Sequence, residues 1–272
     1  MGRRCGVLGD PIEHSLSPVL HRAGYAAIGL DWEYAAHRVA SGGLPDFLSG
    51  LDAEWRGLSL TMPLKREAVA LVDVISERAR LAAAVNTIVL DGERLVGDNT
   101  DIPGAIAAIR ERTSAPLATA VIIGGGATAT SLGLALADLG VRDLEIVVRV
   151  PERAFATMEA VRAHPGRPEV SVGRIDEATS FDVDLVASTI PADAQDHHLV
   201  RACSRVPTLF EITYHPWPTP LAASVGDRVL VGGLDLLVHQ AAVQFELFTG
   251  EPAPIAAMRA AGEQALARRA PA

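Results

Sequence analysis

The chain is nearly devoid of lysine: of its 24 basic residues 23 are arginine, and Lys65 is the only lysine. Asparagine occurs only as Asn86 and Asn99, and cysteine only as Cys5 and Cys203. Two cysteines exclude a disulfide framework and a cysteine metal cluster, and they suit a reducing cytoplasm. No apolar run approaches the ~20 residues that a bilayer span needs. The stretch after Met1-Gly2-Arg3-Arg4 holds too few apolar residues for a signal-peptide core. The basic excess of a general nucleic-acid binder is missing as well, the net charge being -9. The eight histidines show no metal-ligand spacing, and His197-His198 beside Asp196 reads as a solvated pair. These absences point to a cytoplasmic protein that acts on a small molecule without metal, membrane or nucleic acid; monomer and homodimer both stay open.

The lone lysine has a chemical reading. A base bias across a genome exchanges lysine for arginine wherever only positive charge matters. It cannot do so where a proton must be given and retrieved, because arginine does not deprotonate in proteins. Lys65 is therefore a candidate proton donor, against the plain alternative that some lysine had to be the last.

What is present is strand–helix alternation, which predicts an α/β protein of two domains. Cys5–Gly9, Trp32–Val39 and Trp55–Thr61 read as strands. Pro18–Leu30 has helical apolar spacing, with Ser17 as its N-cap. Pro63 is expected to open a helix through Val72 that carries Lys65 in its first turn. Asn86–Leu90 and Arg94–Gly97 flank Asp91-Gly92, a hairpin signal. A helix over Asp101–Arg112 leads to the break Thr113-Ser114-Ala115-Pro116. Beyond it, strands at Ala120–Ile123, Leu144–Val148, Leu185–Ser188, Thr208–Ile212 and Val229–Val231 alternate with helices, as a parallel sheet requires. The tail from Leu234 reads as helical. The predicted division is residues 1–101 completed by 234–272, and residues 102–233 as a Rossmann-type dinucleotide-binding domain.

Gly124-x-Gly126-x-x-Ala129 follows the first of those later strands and opens a helix. In a dinucleotide fingerprint the first glycine permits the turn, the second lets backbone approach a pyrophosphate, and the small third residue packs helix on strand. The loop Gly124, Gly125, Gly126, Ala127 and Thr128 is thus the predicted phosphate cradle. After the next strand stands Arg149-Val150-Pro151-Glu152-Arg153, with no acidic residue to take a ribose 2′-hydroxyl. Arg149 and Arg153 suit a 2′-phosphate, so NADP(H) is the expected cofactor.

Gly9-Asp10-Pro11-Ile12-x-His14-Ser15-Leu16-Ser17-Pro18-x-x-His21 resembles the N-terminal signature of shikimate dehydrogenases. The resemblance continues through Ser59-Leu60-Thr61-Met62-Pro63-Leu64-Lys65, Val85-Asn86-Thr87 and Gly97-Asp98-Asn99-Thr100-Asp101. It extends to Tyr214-His215-Pro216, Thr219-Pro220-Leu221 and Gly233-Leu234-x-Leu236-Leu237-Val238-x-Gln240-Ala241. It implies reversible NADPH-dependent reduction of 3-dehydroshikimate to shikimate, on the route to chorismate and the aromatic amino acids. By the same resemblance Lys65 and Asp101 are the catalytic pair. Ser15 and Ser17 hold the substrate carboxylate, and Thr61, Asn86, Tyr214 and Gln240 bind the ring hydroxyls and carboxylate. Ile212 and Gly233 meet the nicotinamide through backbone. A neighbouring carboxylate raises an ammonium pKa rather than lowering it, so Asp101 is assigned to orientation and to a substrate hydroxyl.

The chain also departs from the family pattern. Ser59 replaces a usual asparagine, which implies a hydrogen bond lost or filled by water. The cofactor loop reads Gly-Gly-Gly-Ala-Thr instead of Gly-Ala-Gly-Gly-Ala. Val148 and Val150 replace the Asn and Thr that flank the family's arginine, and Glu211 and Leu236 stand for Asp and Met. The competing readings are a quinate/shikimate dehydrogenase using NAD and a non-catalytic sensor of shikimate-pathway metabolites. The Ser15-x-Ser17 pair favours shikimate, and an intact Lys65 and Asp101 disfavour the sensor.

Overall fold

The computed structural model describes residues 2–269. The chain divides into two compact units, Met1–Thr100 with Leu237–Ala272, and Asp101–Leu236. Asp101 therefore opens the second unit, and residues 233–236 stay with it.

The first unit contains β1 (Arg4–Gly9), α1 (Ser17–Ala27), β2 (Glu33–Arg38), α2 (Leu44–Ser49) and β3 (Trp55–Leu60). It continues with β4 (Val74–Ile75), α3 (Glu77–Ala82), β5 (Thr87–Asp91) and β6 (Arg94–Asp98). Its sheet has the order β2-β1-β3-β5-β6-β4. β1 lies parallel to β2 and β3, whereas β5 runs antiparallel to β3 and β6. The reversal is the Asp91-Gly92 hairpin, with Gly92 at φ 65°, a conformation that glycine adopts without steric cost. Leu8, Leu58, Leu60, Leu64, Val85 and Ile88 form its core.

Two local expectations are corrected. Ser17 is the first residue of α1 and not its cap; the cap position is Leu16, without a side-chain bond. The polar contact there is reversed, with the Ser17 amide donating to Ser15 Oγ at 3.3 Å. The helix expected from Pro63 to Val72 is a turn followed by a short 3₁₀ segment, Glu67–Ala70. The Lys65 carbonyl, which an α-helix would use internally, instead accepts from the Val85 amide at 2.8 Å. Long-range pairing has overridden helical spacing.

The second unit contains α4 (Asp101–Arg112), β7 (Thr119–Ile123), α5 (Ala127–Asp138), β8 (Asp143–Val148), α6 (Phe155–Arg162) and β9 (Glu169–Arg174). β10 (Leu185–Ser188), α7 (His197–Ala202), β11 (Thr208–Glu211), α8 (Pro220–Ala223) and β12 (Val229–Gly232) follow. The strand order is β12-β11-β10-β7-β8-β9, with every pair parallel. This is the doubly wound order of a Rossmann sheet, whose switch point between β7 and β10 opens a crevice at the strands' carboxyl ends. Strand β9 was not anticipated; its Val170 and Val172 offer only two alternating apolar positions.

α9 (Gly233–Thr249) and α10 (Ile255–Arg269) complete the chain, and from Leu237 onward they belong to the first unit. α10 packs on α1. A Cβ on Gly24 would meet Phe245 at 2.8 Å and Met258 at 3.3 Å, so a side chain there would hold the helices apart. Among the described residues no helix is long and apolar enough to cross a membrane.

Candidate active site

In the first unit, hydrogen bonds gather the ends of three strands. Thr61 follows β3 and donates its amide to Leu8 of β1 at 2.9 Å. The Leu60 amide donates to the Asn86 carbonyl at 2.7 Å, and the Asn86 amide to the Asp98 carbonyl at 3.0 Å. With Val85 bonded to Lys65 as above, Thr61, Lys65 and Asn86 are brought together where β3 ends and β5 begins. Lys65 and Thr61 are half-buried and Asn86 is buried.

The orientation of the Asn86 amide follows from its partners. The Thr100 backbone amide donates to Asn86 Oδ1 at 2.7 Å, and Thr87 Oγ1 donates to the same oxygen at 2.8 Å. A backbone N–H only donates, so that atom is the oxygen. Asn86 Nδ2 then donates to Thr100 Oγ1 at 3.0 Å. Asn86 is thus set as a hydrogen-bond donor toward whatever approaches its nitrogen.

Behind it runs a buried polar chain that sequence reasoning missed. Tyr34 Oη donates to Ser59 Oγ at 2.6 Å, and Ser59 Oγ donates to Gln244 Oε1 at 2.8 Å. Gln244 Nε2 donates to Thr87 Oγ1 at 2.9 Å and to the Asn86 carbonyl at 3.2 Å. The bond expected to be lost at Ser59 is therefore made within the protein. Gln240 lies one helical turn before Gln244, on the same face of α9. It is buried, and its Nε2 donates to the Leu237 carbonyl at 2.9 Å. The four-residue spacing of the two glutamines was the available signal. At the start of α1, Ser15 is half-buried and Ser17 buried.

Asp98 stiffens the exit from β6. Its Oδ1 accepts from Ser76 Oγ at 2.6 Å, Arg78 Nε at 2.7 Å and the Asn99 amide at 2.7 Å, while Oδ2 pairs with Arg78 Nη2. Burial works to raise this carboxyl, but Arg78, Ser76 and the Asn99 amide outweigh it and hold it below its usual value. A depressed folded pKa contributes stability that is complete above the unfolded value, about 4, and lost as pH falls through the folded one. Asp98→Asn is expected to cost about 2 kcal/mol at neutral pH, less than a fully buried pair because Arg78 is partly exposed. The gap from wild type should close as pH falls below the unfolded carboxylate value and through the depressed folded one. Urea unfolding at a series of pH values checks this, and a gap independent of pH would contradict it.

In the second unit, Gly124 follows β7 at φ 113°, and a Cβ there would overlap Thr189 Oγ1. Gly125 serves packing: its carbonyl accepts from Thr157 Oγ1 at 2.9 Å, and a Cβ would meet Ala154 Cα at 3.1 Å. Gly126 is the N-cap of α5, makes no side-chain cap bond, and would place a Cβ in open space. The first helix amides at Ala127 and Thr128 thus adjoin an open approach, as a bound pyrophosphate requires. Ala129 is fully buried. A cavity of about 740 Å³ is lined by Gly124, Arg149, Arg153, Arg174, Asp176 and His198, among others. These features fit a dinucleotide carrying a 2′-phosphate. Arg174 and Asp176 were not foreseen in the sequence.

Elsewhere in this unit, a Cβ on Gly233 would lie 2.6 Å from the Ile212 carbonyl carbon and 2.9 Å from that of Thr213, so only glycine lets these backbones meet. Asp101 is buried at the first position of α4, and Tyr214 is half-buried after β11. Glu211 ends β11 wholly buried; burial pushes its carboxyl up although Gln195, Thr213 and Thr219 all donate to it.

Residues 7–88 match the family model of the shikimate dehydrogenase substrate binding domain, and residues 233–261 that of the shikimate 5′-dehydrogenase C-terminal domain. The shikimate dehydrogenase (NADP(+)) of Desulfitobacterium hafniense is 33% identical over 274 residues, covering 98% of this chain and 100% of its own. The chain belongs to the shikimate dehydrogenase family. Among solved structures, the Mycobacterium tuberculosis shikimate dehydrogenase matches with a TM-score of 0.88 and 36% identity, over 98% of this chain and 99% of that one. The quinate dehydrogenase of Corynebacterium glutamicum, solved with NAD, also has a TM-score of 0.88, at 26% identity over 97% of this chain and 99% of that one. Shikimate dehydrogenase family membership thus accords with the fold, and cofactor and substrate choice rest on individual side chains.

Proposed function

We propose that this chain is a shikimate dehydrogenase, reducing 3-dehydroshikimate reversibly to shikimate with NADPH on the route to chorismate and the aromatic amino acids. The observation that carries the reading is the placement of the single lysine. Its backbone is bonded to the residue before Asn86, whose amide is fixed as a donor. When bound, NADPH supplies the hydride. Lys65 gives a proton to the ketone oxygen as its carbon is reduced, and regains one from solvent; the reverse direction returns that proton. By the family resemblance, Asp101 is the second catalytic residue and accepts from a ring hydroxyl. Thr61, Asn86, Tyr214 and Gln240 bind the remaining hydroxyls, and Ser15 and Ser17 hold the carboxylate without a full counter-charge. Arg149 and Arg153 take the 2′-phosphate, and the amides of the Gly124–Thr128 loop take the pyrophosphate. Ile212 and Gly233 meet the nicotinamide through backbone.

Cytoplasmic residence suits the two cysteines, both buried free thiols, Cys5 pushed up to about 11 and Cys203 to about 12 by burial.

The quinate reading has one observation behind it, the equal fold similarity of the NAD-bound quinate enzyme. Quinate carries an extra hydroxyl on the carbon that bears the carboxylate. The site around Ser15, Ser17 and Tyr214 would have to admit it. Steady-state kinetics with both substrates and both cofactors should give the highest kcat/KM for shikimate with NADP. A higher value for quinate with NAD would overturn the assignment.

A further inference from the structure

The cavity beside the glycine loop holds a third arginine that the reading above does not use. Arg174 ends β9, in register with Val148 at the end of β8, so it stands across from the residue that precedes Arg149. Arg149, Arg153 and Arg174 all line the cavity, and so does Asp176. Arg174 Nε donates to Asp176 Oδ1 at 3.1 Å and Nη2 to Oδ2 at 2.7 Å, with Glu177 Oε1 at 3.3 Å from Nε. This two-point pairing fixes the guanidinium plane and turns its other edge, Nη1 with Nη2, away from the carboxylate.

Charge and donor supply give the pair its meaning. A phosphate monoester brings close to two negative charges and three acceptor oxygens. The side chains flanking Arg149 are Val148 and Val150, which donate nothing. Asp196, also at the cavity, is engaged as the cap of α7, accepting from the Leu199 amide at 2.8 Å. An unpaired Asp176 would repel a phosphate and would accept from a ribose hydroxyl, favouring the unphosphorylated dinucleotide. Arg174 neutralises it and presents a second edge to an oxyanion.

We propose that Arg174, oriented by Asp176, is a specificity-determining residue that favours the 2′-phosphorylated cofactor. This rests on the NADP reading above. Its removal takes away a guanidinium and also exposes a carboxylate to the phosphate, so the loss exceeds that of one contact.

Calorimetric binding of adenosine 2′,5′-diphosphate and of adenosine 5′-monophosphate tests this without turnover. Arg174→Gln should weaken the diphosphate about 10- to 100-fold and leave the monophosphate within about twofold. Adding Asp176→Asn should restore part of the loss, because the unpaired carboxylate is gone. Unchanged melting of both variants is expected, since the pair is surface-exposed. If Arg174→Gln retains full discrimination, or weakens both probes equally, the inference fails while the NADP reading stands. If wild type binds both probes equally, the NADP reading fails and takes this inference with it.

Discussion

Lys65→Ala is expected to lower turnover by ~10²–10⁴-fold, with a modest change in KM for shikimate, because proton transfer by a positioned group is worth that much. The chain holds no second lysine to take over. Lys65→Arg sharpens the result. It keeps the positive charge but cannot release a proton near neutral pH. If Lys65 only stabilises negative charge on the ketone oxygen, the arginine variant should recover most of the activity. If it moves the proton, both variants should be similarly impaired. Steady-state kinetics with circular-dichroism melting distinguishes a chemical defect from unfolding. The side chain is half-buried in a turn, so stability should shift by no more than about 0.5 kcal/mol. Wild-type turnover in Lys65→Ala would assign the proton to another group and remove the main support for the proposed mechanism.

Gly124→Ala should damage both the stability of the second unit and cofactor binding. At φ 113° any side chain is strained, at about 1–3 kcal/mol. The new Cβ would also land on Thr189 Oγ1, which cannot yield cheaply: that hydroxyl and the Thr189 amide both donate to the Ile123 carbonyl at 2.9 Å. Overpacking of this kind adds a similar amount. Together a loss of about 2–4 kcal/mol is expected, or roughly 5–15 °C in Tm. NADP affinity should fall at least about tenfold as the start of α5 shifts. Gly126→Ala is the control. Its φ of -87° suits any residue and its Cβ would meet nothing within 4 Å. Melting should therefore change little while NADP binding weakens. Scanning calorimetry and cofactor titration of the two variants separate the roles. Equal loss of stability in both would refute the division of labour between the two glycines.

The features legible in the sequence were those with local causes. The hairpin was announced by Asp91-Gly92, α4 by its spacing from Asp101 to Arg112, and the cofactor loop by glycines between an apolar strand and an apolar helix. Parallel pairing in the second unit followed from strand–helix alternation, because a helical crossover returns the chain to start the next strand in the same direction. The strand order came from the structure. Where local cues misled, a distant partner had the stronger claim. The Lys65 segment reads as helix, yet its carbonyl bonds Val85. Ser17 reads as a cap, yet the hydroxyl that accepts is Ser15's.

The near-absence of lysine singled out Lys65 before any coordinates, because a residue kept against a compositional trend marks chemistry that its substitute cannot perform. Asn86, by contrast, was named through the family resemblance. Only the tertiary structure decided what holds Asn86 in place and what else faces the cofactor cavity. Ser59 and Gln244 are 185 residues apart, and Arg174 reaches Arg149's neighbourhood only through the pairing of β8 with β9. Periodicity encodes which way a side chain points from its own element, but a hydrogen bond between elements depends on register and packing set by the whole fold.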